Sequence, residues 1–164
     1  MNIYLKSVVF VLTLFITESC NIDLKIAAKL DQSICDLHKN GYYIYKDNAM
    51  VENTIVFMND SLNFEFNTKT GQWCSSIVKW SNSCTYSFTY TGGTFSFIPL
   101  VLHKTGNVKI TSVEKDSYNY QGSLEGDNKI FAGTLSKITP DKNIIHKMDS
   151  IISSQKSPLH QITP

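Results

Sequence analysis

From residue 41 onward, apolar residues of this chain recur at every second position and polar residues fill the gaps. Leu62, Phe64 and Phe66 alternate with Asn63, Glu65 and Asn67; Tyr86, Phe88 and Tyr90 alternate with Thr85, Ser87 and Thr89. Tyr118, Tyr120, Gly122 and Leu124 do the same with Asn119, Gln121, Ser123 and Glu125. A period of two places one set of side chains on one face of an extended strand. Turn-forming residues separate the runs: Asn59-Asp60, Lys69-Thr70-Gly71, Ser81-Asn82-Ser83, Gly92-Gly93, Lys104-Thr105-Gly106 and Gly126-Asp127-Asn128. The intervals are too short for crossover helices, so the strands must pair antiparallel with their chain neighbours.

The pattern predicts strands over residues 42–46, 54–58, 62–67, 75–80, 84–91, 94–98, 108–113, 118–124 and 130–138. Eight or nine such strands with one apolar face must curl or fold over to cover it. Consecutive short hairpins favour a mainly β fold, an antiparallel meander forming an up-and-down, lipocalin-like barrel or half-barrel.

Helical signals flank this region. Ile26, Leu30, Ile34 and Leu37 repeat at steps of four and three, which predicts a helical segment over residues 20–40. Asn40-Gly41 supplies its stop, with glycine free to turn left-handed. Thr139-Pro140-Asp141 reads as a cap, a proline at the first helical position and an acid in the first turn. Ile144, Met148, Ile151 and Ile152 then make an apolar stripe, so a short helix is expected over 139–152, with a disordered tail over 153–164.

The first residues read as an export signal. Lys6 is followed by a ten-residue apolar run at positions 7–16, too short for the roughly 20 residues that cross a bilayer. Thr17 and Ser19 suit ordinary signal cleavage, while Ser19-Cys20 suits lipoprotein processing. The expected product loses residues 1–19 and carries acyl chains on Cys20, a membrane anchor. That places it in a bacterial cell envelope; the alternative is a secreted or periplasmic soluble form.

Charge excludes some partners. The 15 basic residues, all Lys, nearly balance 14 Asp and Glu, with no run of one sign. Without arginine there is no planar fork for phosphate or guanine, which argues against nucleic acid. In an oxidising compartment, Cys35, Cys74 and Cys84 leave one thiol after one pairing. Cys74 and Cys84 bracket a predicted hairpin; Cys35 and Cys84 would instead tie the N-terminal segment to the sheet. Their spacing does not suit a zinc site.

Chemistry-bearing motifs are absent. His38, His103, His146 and His160 are scattered, and there is no nucleophile elbow, metalloprotease helix, phosphate-cradling loop or paired carboxylates. Asp60, Glu65, Asp116 and Asp127 fall at turns or on the polar strand face, where solvation is the expectation. No catalytic residue, metal or cofactor is expected, and the chain is expected not to be an enzyme. Aromatic side chains make 12% of the chain. They suit a core, or the wall of a ligand cavity in a small barrel. Tyr86, Phe88, Tyr90, Tyr118 and Tyr120 are the candidate cavity residues, because buried tyrosine hydroxyls need partners.

Three short motifs add a resemblance. Residues 75–86, with Trp80, Cys84 and Tyr86, are similar to an I-x-W-x-x-x-C-x-Y hairpin, although Ile77 stands one position further from Trp80; Cys35-Asp36-Leu37-His38-Lys39-Asn40-Gly41-Tyr42-Tyr43 and Asn59-Asp60-Ser61 through Glu65 accompany it. Together they resemble a family of small, uncharacterised Bacteroidetes-type lipoproteins over residues 35–137. The resemblance implies a lipidated envelope β protein and a Cys35–Cys84 disulfide. The longer N-terminal segment, Cys74 and the C-terminal extension depart from the pattern.

The resulting expectation is an envelope lipoprotein, a non-catalytic binding or structural module that holds a small apolar ligand. The competing expectation is a protein–protein module that docks an envelope protein along an exposed sheet edge. An enzyme of unknown class ranks third.

Overall fold

The structure, a computed structural model, describes residues 32–46 and 52–155. The elements run α1 (Gln32–Asp36), β1 (Gly41–Lys46), β2 (Thr54–Met58), β3 (Leu62–Asn67), β4 (Trp73–Asn82), β5 (Thr85–Gly93), α2 (Ile98–Val101), β6 (Thr105–Val113), β7 (Ser117–Leu124), β8 (Ile130–Ile138) and α3 (Lys142–Gln155). Each strand pairs antiparallel with the next, and β8 returns to β1 through Tyr42↔Ile138, Ile44↔Ser136 and Lys46↔Thr134. The result is a closed eight-stranded up-and-down barrel. Closure decides between barrel and half-barrel, and it leaves no unpaired strand edge among the described strands, so docking along a sheet edge has no edge to use.

Alternation sorts side chains into two cores. Inside the barrel lie Tyr43, Val56, Val78, Tyr86, Phe88, Val108, Ile110, Tyr118 and Leu135, all buried. Outside β2 and β3 lies a second core of Ile55, Phe64 and Phe66 against Met148 of α3. Ile144, Ile151 and Ile152 extend it on the helix, and Tyr42, Phe57, Leu62, Trp73 and Ile138 extend it on the sheet. The stripe at i, i+4, i+7 and i+8 therefore faces the barrel wall, as an amphipathic helix requires. The helix begins two residues later than its expected first-turn proline. Asp141 caps it, its Oδ1 accepting the Asn143 N–H at 2.8 Å, and Pro140 stays outside. It continues to Gln155, past the expected end.

Fitting aromatic rings inside so narrow a barrel requires glycine. Three aromatic residues pair directly across the sheet with glycines: Phe88 with Gly106, and Tyr120 with Gly133 and Phe131 with Gly122. A methyl group on any of the three glycines would run into its partner's ring, so each ring lies over its glycine. Bulges at Ser75/Ser76 and Trp80/Asn82 in the β4–β5 pairing and at Ile110/Ser112 in β6–β7 add the local bend that a closed sheet needs.

The end of the barrel where β1 starts, the lower end, is plugged. Cys35 of α1 is bonded to Cys84 in the β4–β5 turn, with Cα atoms 5.3 Å apart. The Tyr43 hydroxyl donates to the His38 carbonyl at 2.8 Å, and Lys39 lies over the Trp80 ring. The His38 ring stands edge-on to Tyr118, 5.4 Å between centroids. Cys74, the remaining cysteine, is buried and free. It and Cys84 bracket the single strand β4 rather than a hairpin. Ten extended residues separate them by roughly 33 Å, far beyond disulfide reach.

Three local expectations give way. Residues 94–98 are not a strand; they lead into α2, stacking Phe95 on Phe97. Gly92 and Gly93 lie within β5 rather than in a turn, because a side chain at Gly93 would collide with the Trp73 carbonyl at 2.6 Å. Helix α1 ends at Asp36, and Gly41 opens β1. The expectations for residues 1–19, for Cys20, for the helical segment over residues 21–31 and for the tail beyond Gln155 lie outside the described residues.

Two predictions follow from the packing. Gly122→Ala should cost about 1–3 kcal/mol, because its methyl would meet the Asn107 carbonyl at 2.7 Å as well as the Phe131 ring; an unchanged denaturation midpoint would refute the ring-over-glycine account. Replacing Cys35 and Cys84 together with Ser opens a loop closed across 49 residues. That change should lower unfolding free energy by roughly 4 kcal/mol, and a urea titration with a loss near zero would mean that the plug does not depend on the bond.

Candidate functional site

Inward-facing side chains differ between the two halves of the barrel. In the lower half Tyr43, Met58, Ile110 and Tyr118 are each 1% exposed or less. Toward the other, upper end, Tyr45, Glu65, Tyr90, Tyr120 and Phe131 also face inward by register, yet they keep accessible surface. Thr54, Cys74 and Ser76 of the same inner face are each 1% exposed, and part of the Tyr120 surface opens onto the outer wall. This upper inner face is the candidate site.

The strands that build it are named by their pairings. Val56 of β2 opposes Glu65 of β3, and Glu65 opposes Cys74 of β4. Asn63 opposes Ser76, and Ser76 opposes Tyr90 of β5. Tyr45 joins from β1 beside Leu135, and Tyr120 of β7 leans over Gly133. The Glu65 carboxylate accepts hydrogen bonds from Tyr45 and Asn63, the latter from Nδ2 at 3.3 Å. That orientation leaves Asn63 Oδ1 without a partner, and the Ser76 hydroxyl, 1% exposed, has none either.

Electrostatics single out Glu65. Burial raises its pKa, and the Tyr45 and Asn63 hydrogen bonds offset part of that rise. Its charge in turn helps to push up the hydroxyls of Tyr45 and Tyr90 and the Cys74 thiol, whose dominant cause is burial. Tyr120, also raised chiefly by burial, reaches about 12. Around one carboxyl the wall thus presents only neutral groups. Among the described residues the ion pair is Lys39 with Asp36, on the plug at the opposite end.

This corrects the expectation that Glu65 is a solvated charge on the polar face. In β3 the apolar row Leu62, Phe64 and Phe66 faces α3, so the nominally polar row Asn63 and Glu65 turns into the barrel. The five residues picked from the sequence all face inward. Tyr86, Phe88 and Tyr118 belong to the packed interior, while Tyr90 and Tyr120 border the accessible part. The Tyr118 hydroxyl approaches that of Tyr86 without a well-formed hydrogen bond. Tyr45, Asn63, Glu65, Cys74 and Ser76 were not picked.

Of the histidines, His38 sits in the plug, its pKa lowered by burial and then by Lys137; Tyr43 and Tyr118 are its ring neighbours. Among the described residues no group of His, Cys, Asp or Glu could hold a metal ion, and no helix is long and apolar enough to cross a membrane. A hollow of about 350 Å³ lies against β6, β7 and β8, touching Thr111, Asn119, Gln121 and Thr134 as well as Tyr120. It is shallow and open and holds no ionisable group besides Tyr120, so the chemistry gathers at Glu65.

A buried carboxyl with a raised pKa has a definite stability signature. The folded chain holds the Glu65 proton more tightly than the unfolded chain does. Its contribution is full below the ordinary carboxyl value of 4.5 and is lost as pH rises through the raised folded value. Glu65→Gln should therefore raise the melting temperature of the unliganded protein at pH 7.5 by a few degrees, roughly 2–4 °C, and leave it little changed at pH 4. Equal shifts at both pH values would show that Glu65 is not a buried acid.

No protein-family model matches this chain, and no curated protein matches it.

Proposed function

We propose that this chain is a non-catalytic envelope lipoprotein whose barrel holds a small, flat, largely apolar ligand at its upper inner face. The observation that carries the reading is the contrast along the inner wall. The lower half buries Tyr43, Met58, Ile110 and Tyr118, while Tyr45, Tyr90 and Phe131 keep accessible surface on the same inner wall as the unpartnered Asn63 and Ser76. Small-molecule sites combine those features: an apolar wall with a few convergent polar groups. The leader and Cys20 support the envelope assignment from sequence, and the paired cysteines suit an oxidising compartment.

The rim at that end favours passage of apolar material. Phe97 and Leu102 are about two-fifths exposed, Phe131 slightly less, and Leu100 and Ile130 about three-quarters. These residues belong to the β5–β6 connection and the start of β8, both at the upper end. The same apolar rim is what now favours the partner-docking reading, in place of the sheet edge.

Titration with N-phenyl-1-naphthylamine, a neutral apolar fluorophore, separates the two. Saturable fluorescence gain at micromolar protein, with NMR shifts on Tyr45, Glu65, Tyr90 and Tyr120, is the expected result. Shifts confined to Leu100, Leu102 and Ile130, or no saturation, would remove the ligand-holding reading.

A further inference from the structure

We infer that the ligand carries a primary ammonium group, held by Glu65, Asn63 and Ser76 within a ring of tyrosines. The inference rests on the ligand-holding reading above and names the chemistry of that same site. Three acceptor groups occupy neighbouring inward positions: the Glu65 carboxylate, Asn63 Oδ1 and Ser76 Oγ. The last two are unpartnered. Adjacent positions on two neighbouring strands bring them together, since Asn63 pairs with Ser76 and Glu65 follows Asn63 on the same face of β3. An alkylammonium carries three N–H donors and no acceptor, which matches this set.

Charge points the same way. A carboxylate in an apolar wall costs several kcal/mol unless a cation or donors compensate it. Tyr45 and Asn63 supply donors, but among the described residues no lysine reaches Glu65. A cationic ligand supplies the missing charge. The tyrosines of three strands, Tyr45, Tyr90 and Tyr120, lie close enough to feel the Glu65 charge. Aromatic faces attract a desolvated cation through their negative quadrupole. An anionic ligand would face Glu65 with no compensating cation, and a purely apolar one would leave Asn63 and Ser76 unpartnered. The apolar rim and the rings over Gly106, Gly122 and Gly133 suit a flat hydrocarbon body behind the ammonium.

Protonation fits this assignment. Groups facing Glu65 are Tyr45 from β1, Asn63 from β3, Cys74 from β4, Tyr86 and Tyr90 from β5, and Tyr118 and Tyr120 from β7. All of these stay neutral through the acidic range, so a proton on Glu65 is what competes with the ammonium. Acidification should weaken binding.

The test compares three isosteric probes on the purified full chain by calorimetry at pH 7.5: phenethylammonium, 2-phenylethanol and phenylacetate. Phenethylammonium should bind at least about tenfold more tightly than the alcohol, as a charge-assisted, desolvated contact predicts, and phenylacetate should bind worst. Glu65→Gln, with its fold checked by circular dichroism, should erase the preference for the ammonium over the alcohol. The wild-type ranking needs no variant, so it decides the matter even if Glu65→Gln fails to fold. Equal affinities, tightest binding of phenylacetate, or a preference that survives Glu65→Gln would overturn the inference. If N-phenyl-1-naphthylamine still binds in that case, the ligand-holding reading stands without the ammonium; if no probe binds, both fall.

Discussion

The β1–β8 ladder is the interaction on which the rest depends. Without it the eight strands form an open sheet with two reactive edges and no inside. With it the inner face becomes a bounded volume just wide enough for side chains. Large rings then fit only where the opposite strand yields space, and glycine at Gly106, Gly122 and Gly133 yields it. The bulges on β4–β5 and β6–β7 serve the same end by bending the sheet round to meet β1.

Closure also divides labour between two cores. The layer between α3 and the outer face of β2 and β3 is built on Ile55, Phe64, Phe66 and Met148, with Lys147 of the helix over the Phe66 ring. It lies on the opposite side of the sheet from Asn63 and Glu65. The interior can tolerate a carboxyl and unpartnered acceptors at its upper end because that outer layer, the packed lower half and the disulfide plug stabilise the fold. Unpartnered buried atoms also occur at the lower end, at His38 Nδ1, Trp80 Nε1 and the Tyr118 hydroxyl, where the plug and the bonded cysteines hold the packing together.

Much of the fold was legible because period-two alternation and turn residues are local signals. The strands at 54–58, 62–67 and 130–138 stand where the alternation puts them. The error at 94–98 came from a run, Thr-Phe-Ser-Phe-Ile, that alternates like a strand but lies beyond Gly93, where Trp73 takes the backbone contacts of Thr94. The site was harder to read. Alternation says that two faces differ; it does not say which one faces the barrel. In β3 the helix α3 claims the apolar row, a long-range packing choice that reverses the sense of Glu65. One clue was available. Thr54-Ile55-Val56-Phe57-Met58 is apolar on both parities, as a strand buried on both faces must be, and β3 is its neighbour. Tyr86, Tyr90, Tyr118 and Tyr120 stand out because each pair alternates cleanly with polar residues; Tyr43 and Tyr45 also face inward but sit in a run of mixed residues.

The placement of the spare sulfur bears on how the chain matures. Thiol exchange proceeds through a thiolate, and Cys74 lies inside the wall with its proton held by burial. A Cys74–Cys84 bond would keep β4 from extending, so the barrel could not close. In the closed barrel the remaining thiol sits out of reach, so the finished Cys35–Cys84 bond has no neighbouring thiol of its own chain to reshuffle it.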